Sequence, residues 1–170
     1  AAMGAEQLRE AASAALREQR LYAPAGNNAM EYYLALRDKS PNDPAVSSAL
    51  TDLMPYTLIA TEQSINRDDF AEAQRLYALM EKTDPKAPAL PRLKQSIADA
   101  QASLAQRTAD ATARTEEDAK KQADLEKQRL ADQQKAQLLA AQQLAEQQAA
   151  DAKAAADKAA ADKAAADKAA

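Results

Sequence analysis

The sequence predicts an all-α chain in two parts: a small tetratricopeptide-like helical array of helical hairpins, then one long, extended, solvated helix. Three observations carry this. Both Gly and all seven Pro lie at or before Pro91, and these residues are the strongest punctuators of helices. Residues 1–91 are therefore cut into short elements, while 92–170 run uninterrupted. The only Phe, all five Tyr and every Ile, Val and Met precede Gln101, so a core can be built only there. No stretch alternates β-branched and polar residues at period two, and nothing reads as a strand. The expected division is 1–104, the array with the start of a capping helix, and 105–170, an Ala/Gln/Lys/Asp-rich helical spacer.

The first element is expected from about Ala5 to Tyr22, with Leu8, Ala12, Ala15, Leu16 and Tyr22 on its apolar side and Pro24 and Gly26 beyond its end. Asn27 or Asn28 offers an N-cap for a second helix, in which Ala29, Tyr33 and Leu36 share a face beside Met30 and Leu34. Pro41 and Pro44 end it. Asp43 can cap the third helix with Pro44 at its first position. That helix carries Val46, Leu50, Leu53, Leu58 and Ile65, with a kink or break expected at Pro55. Asn66 to Asp69 form a polar turn. A fourth helix then places Phe70, Ala73, Tyr77 and Met80 on one stripe, next to Leu76 and Leu79, and Asp84 and Pro85 end it.

A repeat at a spacing of 44 aligns Tyr33 with Tyr77, Pro41 with Pro85, Pro44 with Pro88 and Ala45 with Ala89. It resembles tetratricopeptide-type repeats, which put Pro after the second helix of each pair. The period is longer than the standard one, and an irregular helical bundle is the alternative. From Leu90 on, Leu93, Ile97, Ala100 and Leu104 keep an apolar stripe that packs back on the array. The stripe then fails at Arg107, Arg114, Gln128 and Asp132, and Leu125, Leu130, Leu138, Leu139 and Leu144 hold no coiled-coil register. What remains is helix propensity, together with the pairs Glu116–Lys120 and Glu117–Lys121. From Ala156 a five-residue Ala-Asp-Lys-Ala-Ala repeat runs to the end, a semi-rigid helical sequence with expected end fraying. Arg92 to Ala170 as a single helix would span about 120 Å.

The hydrophobic fraction is 46 %, but it is mostly alanine, which buries little area. The net charge is −4 with both signs mixed, which argues against a nucleic-acid partner. The chain has no Cys and no His, so thiolate or imidazole metal sites and Cys–His or Ser–His nucleophiles are excluded. Adjacent acids such as Asp68–Asp69 and Glu116–Glu117 point in different directions on a helix. They read as solvated surface or caps rather than a catalytic pair. Neither a Gly-rich phosphate loop nor a run of apolar residues long enough to cross a membrane is visible. The reading is of no enzyme, no cofactor, no metal and no membrane insertion within this segment. Tyr33 and Tyr77 are expected in the core. Tyr32, one residue off the stripe, and Tyr56 are the candidate protein contacts. The absence of an initiator Met and the end in mid-repeat suggest a piece of a longer protein.

Within Pro24–Ile97, the segments GNNAMEYYLALR, the Leu-Met-Pro-Tyr stretch at 53–56 and DPKAPALPRL resemble a region of xanthomonad-type TonB-family energy transducers. The tail resembles the Ala/Lys/Asp-rich helical middle of TolA-like proteins. The resemblance implies a periplasmic module and spacer, with an inner-membrane anchor and a C-terminal transporter-engaging domain outside this segment. The array would meet a partner protein or the cell wall. Two rivals stand beside this reading: a tetratricopeptide-like peptide-binding adaptor, with the cytoplasm as its alternative compartment, and a structural coiled-coil oligomer. A monomer is favoured, with weak coiled-coil self-association as its competitor.

Overall fold

A computed structural model describes residues 3–169; residues 1, 2 and 170, at the ends of the expected array and spacer, lie outside the described residues. Five helices follow in order: α1 (Ala5–Arg17), α2 (Ala29–Lys39), α3 (Pro44–Asn66), α4 (Phe70–Thr83) and α5 (Ala89–Ala169). The fold is all-α among the described residues. The chain divides into two units, Ala1–Asp110 and Ala111–Ala170.

In the first unit α1 pairs with α2 and α3 with α4, and α2 joins the pairs by packing on α3 and α4. Two apolar clusters form the core. Leu8, Met30, Leu34, Leu36, Val46 and Leu50 belong to one; Ile65, Ala73, Met80, Leu90, Leu93 and Ile97 belong to the other. Between them α3 buries Thr57, Thr61 and Ser64. Their hydroxyls donate back to the carbonyls of Leu53, Thr57 and Ala60, so none of these three hydroxyls is orphaned.

α1 stops five residues short of the expected Tyr22. Gln19 adopts φ 61°, and the amides of Gln19 and Arg20 return to the carbonyls of Leu16 and Ala15 at 3.1 and 2.8 Å. This is a Schellman ending built without Gly. The chain then folds back, so that the carbonyls of Arg20 and Leu21 accept the first amides of α2, those of Ala29 and Met30. Of the two candidate caps it is Asn28 that serves: its Oδ1 accepts the Glu31 amide at 2.9 Å. Asp43 caps α3 as expected, accepting the Ala45 amide at 3.0 Å, with Pro44 in the first turn. α3 is not broken at Pro55 and runs as one helix through it. The proline is exposed, so the backbone bond it removes is not lost within the core.

α3 ends in the same motif as α1. Asp68 has φ 59°, and the amides of Asp68 and Asp69 reach the carbonyls of Ile65 and Ser64. Aligning Gln19 with Asp68 superposes the buried Leu8, Ala12 and Ala15 of α1 on Thr57, Thr61 and Ser64 of α3. The two proline turns also correspond at the 44-residue spacing. Ser40 N–H to the Leu36 carbonyl and Asp43 N–H to the Ser40 carbonyl, at 2.8 and 3.2 Å, recur as Asp84 to Met80 and Ala87 to Asp84, at 2.9 and 3.1 Å.

The two core tyrosines of the sequence reading are corrected. Tyr33 and Tyr77 are half-buried and packed against the clusters, while Leu76 is buried at 1 % exposure. Tyr77 sits at the solvent edge of its stripe because α4 turns Leu76 inward. At the start of α5, Leu93 and Ile97 are buried, and Ala100 and Leu104 are half-buried. Arg107 interrupts the apolar stripe and pairs with Asp68 at 3.1 Å, so the first unit makes contacts past residue 104.

In the second unit α5 stays helical through Ala169, and every described side chain from Ala111 on is exposed. Over that stretch it is about 90 Å long at about 1.5 Å per residue. Leu125, Leu138 and Leu139 are more than half exposed. Of the two expected Glu–Lys pairs, Glu117–Lys121 forms, at 3.1 Å; Glu116–Lys120 is not among the ion pairs of the described residues.

Candidate interaction groove

One recess of the first unit is a groove of about 540 Å³ beside the second proline turn. Leu50, Met54 and Leu58 of α3 and Met80 of α4 make its apolar floor, and Ala87 and Pro88 of the turn its opposite lip. The helical period puts Leu50, Met54 and Leu58 on one side of α3. Leu50 is buried, whereas Met54 and Leu58 are only half covered.

The polar groups of the groove are few. The Arg37 guanidinium donates to the carbonyls of Thr83 and Lys82 at 2.9 and 2.6 Å. These are the free carbonyls at the end of α4, where a cation also meets the negative end of the helix dipole. The side chain of Asp84, the C-cap of α4, accepts the Lys86 amide at 3.1 Å. Thr51 donates its hydroxyl to the Ser47 carbonyl at 2.9 Å. The Thr51 carbonyl has no i+4 amide to accept from, because that position is Pro55.

A second recess lies on the other side of the same turn, between Tyr77, Glu81, Pro85, Leu90 and Lys94. Burial raises the Tyr77 phenol, and Glu81 beside it adds to the rise. At the first turn the corresponding face is covered, since Arg37 reaches α4 and Leu50 is 2 % exposed. Lys94, 44 residues after Leu50, is exposed.

The two tyrosines singled out from sequence do not meet in either recess. Tyr32 is half-buried against the first cluster, and its hydroxyl donates to Asn27 Oδ1 at 2.6 Å. Tyr56 is 56 % exposed on α3, near Ile59 at 52 %. Ile59, Met54 and Leu58 were missed as candidates. Three-residue spacing from Tyr56 to Ile59 was the one signal that could have marked this face.

A polar cluster ties the loop before α2 to α4. Arg75 donates to the Tyr22 carbonyl at 2.9 Å, pairs with Glu72, and lies 3.6 Å from Glu31. Glu31 in turn accepts the Gly26 amide at 2.7 Å and the Asn28 side chain. Among the described residues no three acidic side chains gather where they could hold a metal ion.

No protein-family model, curated protein or solved structure matches this chain. None of its described helices is long and apolar enough to cross a membrane.

Proposed function

We propose that this chain is a non-catalytic interaction module joined to a helical spacer, working in the periplasm as part of a TonB-type energy transducer that supports energy-coupled transport across the outer membrane. The observation that carries the spacer half is the run from Ala105 to Ala169, helical throughout with every side chain exposed. A helix that buries nothing contributes nothing to a core; what it supplies is separation. The array supplies the interaction half, with its groove and the exposed Tyr56 and Ile59. Its chemistry supports binding over catalysis: the chain has neither His nor Cys, and carboxylates such as Asp43, Asp69 and Glu31 serve as caps and ion pairs. The transducer and its compartment rest on the resemblance of Pro24–Ile97 and of the tail.

The test uses the source protein in its own cells. Deleting residues 111–170 abolishes uptake that depends on the proton-motive force, and an unrelated Glu-Ala-Ala-Ala-Lys helix of equal length restores it. Unchanged uptake after the deletion would overturn the reading. The groove favours one rival, a peptide-binding adaptor in the cytoplasm. An alkaline phosphatase fusion at residue 110 separates the two: activity marks the periplasm and inactivity the adaptor.

A further inference from the structure

We infer that the groove beside the second proline turn is a docking site for a segment of a partner protein in which aliphatic side chains flank a lysine or arginine. The inference names the partner chemistry for the interaction reading of the array and rests on that reading.

The duplicated architecture carries the argument. In the first pair the proline turn is clamped to α1 by an ion pair, Arg9 to Asp43 at 2.9 Å. The matched helix endings of α1 and α3 place Leu58 where Arg9 stands, and the matched turns place Ala87 where Asp43 stands. Both replacements are apolar, and both line the open groove. The same structural position is closed by charge in one pair and left open and apolar in the other. An aliphatic side chain is the occupant such a floor rewards.

Charge complementarity sets the rest of the occupant. Arg37 spends its guanidinium on the α4 carbonyls, where its charge is offset by the helix end. Asp84 has no cation among the ion pairs of the described residues, only the Lys86 amide. The Thr51 carbonyl lacks its helical donor. The groups left over are therefore acceptors, one of them anionic, and they call for a peptide N–H and a cationic side chain.

The experiment titrates the full isotope-labelled chain with acetyl-Ala-Leu-Lys-Leu-Ala-amide and with its Lys→Glu counterpart. The lysine peptide should shift the amide resonances of Leu50, Met54, Leu58 and Ala87. It should bind about fivefold tighter at low salt, the scale of a solvated ion pair against a repulsion. Asp84→Asn keeps the acceptor for the Lys86 amide and should bring the two peptides within about twofold of each other. Leu58→Arg combined with Ala87→Asp rebuilds the first-pair clamp and should abolish binding while the tyrosine near-ultraviolet signal persists. If that double variant does not fold, Asp84→Asn decides alone. Equal binding of both peptides, binding of neither, shifts elsewhere, a preference untouched by Asp84→Asn, or binding by a folded double variant would each overturn the inference. The uptake test depends on the spacer and this titration on the groove, so the two fail separately.

Discussion

Leu50→Ala is the sharpest test of the stacked-pair architecture, with Lys94→Ala as its matched control. Leu50 is 2 % exposed between α2 and α3, while Lys94, its counterpart one repeat later, is exposed. Buried Leu→Ala changes cost about 2–5 kcal/mol, the spread reflecting how far the cavity collapses or fills. Leu50 also lines the groove, so the new cavity opens to water and relaxes, which favours the lower half, about 3 kcal/mol. At about 4–8 °C per kcal/mol for a unit of this size, the melting temperature should fall by roughly 12–24 °C. Lys94→Ala should stay within about 0.5 kcal/mol, as surface changes do. The readout must ignore α5, whose exposed helix dominates the far-ultraviolet signal and melts without a core. All five tyrosines lie between Tyr22 and Tyr77 and there is no Trp, so near-ultraviolet dichroism reports the first unit alone. A Leu50→Ala loss below about 0.5 kcal/mol, or a Lys94→Ala loss as large as that of Leu50→Ala, would refute the assignment of these positions to a covered and an open face.

Asn28→Ala should destabilise the first unit by about 1–2 kcal/mol in denaturant melts, because Asn28 caps α2 and also holds the Pro24 carbonyl at 2.9 Å. Thr57→Val should fall within about 1 kcal/mol of the parent, since the hydroxyl it loses makes one bond within its own helix, at 3.0 Å to the Leu53 carbonyl, and one to the weakly accepting Met30 sulfur of α2 at 3.1 Å; a larger loss would give that hydroxyl a role the packing does not. The hydrogen bond from Arg9 is the largest of several effects holding the Asp43 carboxyl below its usual range. Its contribution is therefore present above the ordinary carboxylate pKa and is lost as pH falls through the lowered one. Asp43→Asn should accordingly melt lower than the parent at neutral pH, and the gap should vanish in strong acid. Sedimentation equilibrium should return a monomer, as no apolar stripe runs through Leu125–Leu144; a concentration-independent dimer abolished by Leu138→Lys with Leu139→Lys would refute this.

Local chemistry made much of the molecule legible. The Asp43 cap with Pro44, the end of α4 at Asp84, the 44-residue spacing of the turns and the uninterrupted helix after Pro91 all follow from interactions within a few residues. Where the reading missed, a distant partner decided. α1 ends at Arg17 because the loop after it must supply the carbonyls of Arg20 and Leu21 to the first amides of α2. Pro55 leaves α3 intact because it faces solvent.

Helix type and helix end are local properties, written in propensities, caps and breakers, and the sequence by itself determined them here. It also determined that the tail has nothing to bury. Which face of each helix is covered depends on what stacks against it, and only the tertiary structure decided that. Leu50 and Lys94 occupy the same place in their repeats, yet Leu50 is buried in the cluster it shares with Leu8 of α1 and Leu34 and Leu36 of α2, while Lys94 is exposed. The groove has the same origin. Leu58 and Ala87 are unremarkable in sequence and 29 residues apart. They form a site because packing brings them to the position that Arg9 and Asp43 close in the first pair.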